Sequence, residues 1–345
     1  MGKYLLKRLM VMIPTLIGVT IVVFAVINLA PGSPVEQKLQ ALRFGGGGNA
    51  ATVSDGGSSR GSSTVSDEVL AALNKQYGFD KPLHVRYLKW LGNIVRLDFG
   101  ESFTYEEPVI DVIFSKFPVS LQFGIASLIL SYLISIPLGI GKALKHGSLF
   151  DTSSSFLLFV AYSIPPFMLA ILLIVFLAGG SFMDLFPIGG VYSDYYDDLS
   201  TWGKITDRLH HFVLPLFCYT VGSFTSLTLL MKNSLLEEIK KDYVRTARAK
   251  GLPERAVYLG HALRNALIPV VTGLGGFLLV FFAGSLLLET IFQLDGIGLL
   301  SYKSVLARDY NVIMGLVFLQ SVLFLLGNVL SDLAYVLVDP RIDYT

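Results

Sequence analysis

Six stretches of this sequence contain no Asp, Glu, Lys or Arg and are each long enough to cross a bilayer: Leu9 to Val35, Phe117 to Gly141, Thr152 to Met183, Leu209 to Met231, Asn265 to Leu288 and Tyr310 to Ser331. A spanning helix needs about 20 mostly apolar residues. Lipid offers no partner for backbone N–H and C=O groups, so each run must bond internally and all six are expected to be helices. Composition agrees: 53% of residues are hydrophobic, 15% are charged and the mean hydropathy is +0.62. The expected fold class is therefore an all-α integral membrane protein with six transmembrane helices.

Lys3, Lys7 and Arg8 ahead of the first run resemble the start of a secretory signal. The run outlasts a signal core, however, and ends in "LAPGSPV" (Leu29 to Val35) rather than a small-residue cleavage pattern, so it reads as a retained helix. Lys142 and Lys145 follow the second run, and eight basic residues from Lys232 to Arg264 follow the fourth. The positive-inside bias makes both loops cytoplasmic. Asp184, Asp194, Asp197, Asp198 and Asp207 outnumber Lys204 and Arg208 in the loop after the third run, which belongs outside. Both termini then fall in the cytoplasm.

This division gives an N-terminal transmembrane helix (1–35), an external insertion (36–116) and a core of five helices (117–345) with a cytoplasmic loop at 232–264. Within the insertion, Gly45 to Ser66 is more than half Gly and Ser and reads as a flexible loop. Apolar residues then return at helical spacing (Val69, Leu73, Tyr77; Tyr87, Leu88, Leu91, Ile94, Val95), predicting short helices on the outer membrane face. Phosphate loops, GxGxxG, HExxH and paired-cysteine motifs are absent from the sequence. The single cysteine, Cys218, lies in an apolar run and reads as a small buried hydrophobe.

The densest positive charge lies in "RTARAKGLPERAVYLGHALRNALIPVV" (Arg245 to Val271). Leu236, Ile239, Tyr243 and Ala247 recur at helical spacing, with Ser234 and Glu237 fitting a capping box. Gly251 suits a left-handed helix end and Pro253 the first position of the next helix. Helix, tight turn, helix is the expected form, with Ala247, Ala249, Ala256, Ala262 and Ala266 allowing a partner backbone to approach. The plainer reading is a basic loop that fixes topology and meets lipid head groups.

The stretch resembles the cytoplasmic coupling loop of ABC importer membrane subunits, E-A-A-x-x-x-G, nine residues, then I-x-L-P. Anchored on Gly251, Arg245, Thr246 and Ala247 stand where E-A-A would, and His261, Ala262, Leu263 and Arg264 where I-x-L-P would. Arg245 and Arg264 depart from the general motif, but "YVRTARAKGL" with "HALRNALIP" is similar to the form used by dipeptide and oligopeptide permeases. "YLLKRLMVMIPTL", "YGFDKPLHVRYLKWL", "LDFGES", "DGIGLLSYKSVLARDYNVIMG" and "LVDPRID" extend the likeness to the first permease of such a pair. The Gly/Ser insertion and "FLAGGSFMDLFPIGG" resemble its Yej branch, associated with oligopeptides and microcin C.

The resemblance implies a type I (MetI-like) permease fold and a transport subunit rather than an enzyme. It implies a second permease, two cytoplasmic ATPases carrying ATP and Mg, and an external peptide-binding protein, with no cofactor, metal or nucleic acid bound by this chain. It also implies that Arg245, Thr246, Ala247, Lys250, Gly251, Pro253, His261, Leu263 and Arg264 meet the ATPase. Alternating access would couple nucleotide-driven closure to the spans.

Ser163 and Pro165, with Pro166, interrupt the third run as a packing kink or as part of the translocation wall. Thr225 and Thr228 are read as interhelical hydrogen-bonding groups or substrate contacts. His210 and His211 read as interfacial histidines. Glu289 is placed at the outer water interface, with or without a function. Rival readings are a similar permease for nickel or an opine, an intramembrane enzyme, which needs a nucleophile with a base or a carboxylate pair, and a passive channel.

Overall fold

The computed structural model describes residues 2–29, 81–180, 182–272 and 285–338. The Gly45 to Ser66 stretch, Val69, Leu73 and Tyr77, the middle of the fifth apolar run and the end of "LVDPRID" lie outside the described residues. The order is α1 (Gly2–Leu29), α2 (Leu83–Val95), α3 (Val109–Leu144), α4 (Leu149–Ser163), α5 (Pro166–Leu177), α6 (Thr201–Ile239) and α7 (Asp242–Ala249). One α turn (Glu254–Ala256) and a π-helical segment (Val257–Ala262) lead into α8 (Leu263–Thr272), followed by α9 (Leu286–Ile291), α10 (Ile297–Leu306) and α11 (Tyr310–Val338). Extended pairing among the described residues is limited to isolated bridges.

Among the described residues, four helices are long and apolar enough to cross a membrane: Leu6–Leu29 of α1, α3, α6 and Tyr310–Leu330 of α11. The third run is not one straight helix, because α4 and α5 meet at 94°. Proline disfavours α geometry in the residue before it. Pro165 and Pro166 therefore hold Ile164 (ψ 119°) and Pro165 (ψ 137°) extended, where a simple kink was expected. Of the fifth run, α8 and α9 are the described flanks. The all-α membrane architecture stands, and these helices are consistent with six spans.

The chain divides into two compact units. The first holds residues 1–10, 116–300 and 322–345. In it, a stripe of small residues on α3 lets α6 come close, the packing mode of helices that lack a hydrophobic drive to associate in lipid. Ser131 Oγ lies 3.0 Å from Ser223 Oγ, and Ser135 Oγ donates to the Phe224 carbonyl at 3.0 Å. At Gly139 a Cβ would stand 2.7 Å from Met231 Cβ and 2.8 Å from the Thr228 carbonyl, so only glycine fits this crossing. Phe123, Ala170, Leu214, Cys218, Leu288 and Phe292 form a core joining α3, α5, α6 and α9.

The second unit holds residues 11–115 and 301–321. Tyr87 and Trp90 of α2 turn inward onto Phe24, with Thr20 Oγ1 and Tyr87 Oη 2.9 Å apart. Leu88 and Val95, expected on the packed face, are 63% and 80% exposed. The "LDFGES" segment clasps the start of α11: buried Asp309 accepts from Ser102 Oγ and from the Thr104 N–H, and Asn311 donates to the Glu101 carbonyl.

Candidate coupling element

α6 has 39 residues and is about 58 Å long, nearly twice the hydrocarbon thickness, so one end must project from the membrane. Its last turns, from Met231, enter the basic stretch without a break. The predicted capping box at Ser234 and Glu237 does not form, because Ser234 lies inside α6. Buried Met231 and Leu235 continue the helical apolar face through it, and that packing overrides the local cap signal. The helix stops at Lys240, Lys241 is extended (ψ 153°), and α7 begins at Asp242.

Gly251 has φ +79°, the left-handed conformation expected of it. A Cβ there would meet nothing within 4 Å, so conformation rather than crowding demands glycine. Pro253 stands at the N-cap (φ −65°, ψ 144°), one place earlier than expected, and Glu254 opens the next turn. The following π segment carries Gly260 and His261 outward and Val257 and Ala262 inward. Such widened turns often mark functional positions.

One side of this helix–turn–helix is a core. Val244, Val257, Ala262, Ala266 and Val270 are at most 1% exposed, and they pack with Ala247, Met231, Leu235 and Ala143 of α3. Ala247, Ala262 and Ala266 thus admit close packing within this chain, whereas Ala249 and Ala256 remain exposed. Of the nine residues expected to meet an ATPase, Ala247 is buried and Leu263 half-buried in this core. Arg245, Thr246, Lys250, Gly251, Pro253, His261 and Arg264 are exposed together on the outer side. Tyr243, Leu252 and Leu259 share that exposure, and of these only Leu259 lies outside the "YVRTARAKGL" and "HALRNALIP" strings.

Electrostatics hold the turn. Arg248 Nε donates to Glu254 Oε1 at 2.9 Å, its guanidinium donates to Tyr258 Oη at 2.8 Å, and it lies over the Tyr258 ring. Hydrogen bonds from Tyr258 and Arg248 lower the Glu254 carboxyl below its ordinary range. Opposite charges six residues apart across a glycine were the available signal in the sequence. At the junction with α6, burial would raise the Glu238 carboxyl, but bonds from Lys241 and Tyr243 outweigh it and lower it. Burial and the Glu238 bond push the Tyr243 phenol up to about 12.

Residues 135–344, more than half the chain and the part that includes this element, match the family described as binding-protein-dependent transport system inner membrane component. The chain belongs to that family. Full-length relatives include the Agrobacterium fabrum peptidoglycan transport system permease protein YejB, 48% identical over all of this chain and 99% of its own length. The Escherichia coli O157:H7 inner membrane ABC transporter permease protein YejB is 43% identical over 100% and 99% of the two chains. The Bacillus subtilis oligopeptide transport system permease protein AppB is 35% identical over the full length of both. This permease is a multi-pass inner-membrane protein, and the Yej likeness read from its insertion matches the names of two of these relatives.

Elsewhere in the permease, Ser163 and Pro165 are exposed at the α4–α5 break, and Ser163 Oγ is bonded back to the Phe159 carbonyl. Thr225 and Thr228 are buried. Thr225 Oγ1 donates to the Leu158 carbonyl of α4 at 3.3 Å and Thr228 Oγ1 to the Phe224 carbonyl of its own helix at 2.8 Å. Glu289 is not at a water interface: it is fully buried, accepting from Ser120 Oγ at 2.8 Å and from the Leu299 N–H at 2.8 Å. Its carboxylate closes the N-terminus of α10, where unpaired N–H groups and the helix dipole favour negative charge.

Ser193, Asp207 and His211 converge, but not as a nucleophilic triad. Asp207 bonds the Ser193 hydroxyl and N–H, while His211 Nδ1 faces the Gly189 and Gly190 carbonyls rather than a carboxylate. No group of three His, Cys, Asp or Glu side chains suited to a metal occurs among the described residues.

Proposed function

We propose that this chain is the first permease of a peptide importer driven by ATP hydrolysis on partner subunits. The observation that carries this reading is an exposed helix–turn–helix anchored by its buried face to the projecting end of a membrane helix. That geometry gives an ATPase a rigid handle on the spans. Arg245, Thr246, Lys250, Gly251, Pro253, His261 and Arg264 form the contact surface, while Ala247 and Leu263 fix it to α6. ATP and Mg bind on the two cytoplasmic partners. A second permease completes the pathway and an external binding protein delivers solute. Both termini are cytoplasmic, 36–116 is the external insertion, and the exposed α4–α5 break with Ser163 and Pro165 borders the pathway.

The full-length likeness to the Agrobacterium protein named for peptidoglycan transport favours a second substrate class, peptide-bearing cell-wall fragments. Proteoliposomes holding both permeases, the ATPases and the binding protein decide between them. Peptide reading: free oligopeptides accumulate only with ATP. Uptake of muropeptides alone favours the second class, and uptake without nucleotide overturns both.

A further inference from the structure

Lys142 reads from the sequence as a topology signal, a basic residue just past a span. In the structure it is 0% exposed. Its ammonium donates to the Asp151 carbonyl at 2.9 Å, to Ser154 Oγ at 2.8 Å and to Ser155 Oγ at 2.7 Å, and lies 3.2 Å from Asp151 Oδ1. Lys232 of α6 reaches the same carboxylate at 2.7 and 2.9 Å. His146 Nδ1 at 3.1 Å and the Gly147 N–H at 3.2 Å complete the set around Asp151, which is 4% exposed.

Three helix ends therefore meet at one carboxylate: the last turn of α3, the first turn of α4 and the projecting part of α6. Stability is a weak reason for such a site. Buried ions lose hydration that their attraction only partly restores, and apolar residues of similar volume commonly do as well or better. Two lysines on one carboxylate leave one positive charge uncompensated. That charge also lies at the N-terminal turn of α4, where the helix dipole disfavours cations. What directional ion pairs supply is geometry, because sliding any of the three helices by one turn would strand a buried charge.

The neighbours of this cluster say which geometry matters. Lys142 is followed by Ala143, and Lys232 is preceded by Met231; both neighbours belong to the core on which the coupling element packs. We propose that Asp151 is a positioning residue for transport, locking α4 to α3 and α6 so that these helix ends and the coupling element move as one block. Movement of α7 then reaches α4, and through the 94° break α5. This inference rests on the importer reading above, and its test includes an arm independent of it.

In proteoliposomes of the complete complex, the readout is peptide imported per ATP hydrolysed. Asp151→Asn leaves the buried Lys142 and half-buried Lys232 ammonium groups without a counter-charge and should lower abundance. Asp151→Asn with Lys232→Met returns the cluster to its wild-type net charge, one ammonium in excess, and should assemble but import at least tenfold less peptide per ATP. Asp151→Glu keeps the charge but displaces the carboxylate by one methylene and should lower the same ratio severalfold. A merely structural cluster would change abundance and leave the ratio intact, so a wild-type ratio in either assembled variant overturns the proposal.

The independent arm uses the purified full chain with no solute. Spin labels at Ser153→Cys and Ala249→Cys should give a narrow distance distribution, at least twice as broad with Asp151→Asn and Lys232→Met; buried Cys218 stays unlabelled. Unchanged width overturns the lock, whereas a lock in a complex that imports no peptide would overturn only the importer reading.

Discussion

Gly251 sits at φ +79° with open space where a Cβ would stand, so substitutions there separate backbone strain from crowding. Gly251→Val places a β-branched residue in the left-handed region at a cost of about 1–2 kcal/mol or more. Asn visits that region far more readily. ATPase co-purification should therefore fall with Gly251→Val and persist with Gly251→Asn at equal membrane abundance; equal loss in both would point to a contact rather than a turn. Asp151 supports a prediction about pH. Burial would lift its carboxyl above the ordinary 3.8, but bonds from Lys232, the Gly147 N–H, Lys142 and His146 outweigh this and hold it well below. A depressed carboxyl contributes stability that is complete above its ordinary value and fades only as pH falls beneath it. In a His146→Gln background, which removes the imidazole from the cluster, the Tm loss caused by Asp151→Asn should thus be flat between about pH 5 and pH 8. Residue by residue, the sequence disclosed Gly251 because glycine's backbone freedom is local. It disguised Lys142 and Glu289, because Lys232 lies 81 residues from Asp151 and Ser120 lies 169 residues from Glu289.

Among the elements, apolar run length disclosed α1, α3, α6 and α11, since a membrane leaves a long uncharged run little choice but helix. The α4–α5 pair was half legible. Two prolines announce an interruption, but whether a helix resumes in line or turns is set by what each half packs on. Thr225 ties α4 to α6, while Ala170 of α5 enters the Phe123 and Leu214 core. Pro165→Ala with Pro166→Ala removes the backbone restriction and should let the two helices straighten. Labels at Leu149→Cys and Phe176→Cys should then move apart by an amount on the order of 10 Å. An unchanged distance would assign the 94° bend to packing rather than to proline.

For the molecule as a whole, orientation follows from the placement of charge, and protease access tests it. In right-side-out vesicles the 45–66 stretch should be cut from outside and the Lys250–Arg255 turn only after lysis; the reverse pattern would invert every assignment of sidedness made above. The α3–α6 crossing at Gly139 and Met231 carries a further mechanical consequence. Because the ends of α3, α4 and α6 are locked beside it, the block turns about this crossing as one body and α6 is its lever, with 8 residues beyond Met231 on the coupling side and 30 before it, counted from the helix ends. At 1.5 Å per residue these are arms of about 12 and 45 Å. A tilt that shifts the short arm by about 1 Å sweeps the Trp202 end through about 4 Å in the opposite sense. Labels at Trp202 should travel roughly fourfold farther than labels at Glu238 when nucleotide binds, and a small stroke at the ATPase becomes a wide opening at the far side of the membrane.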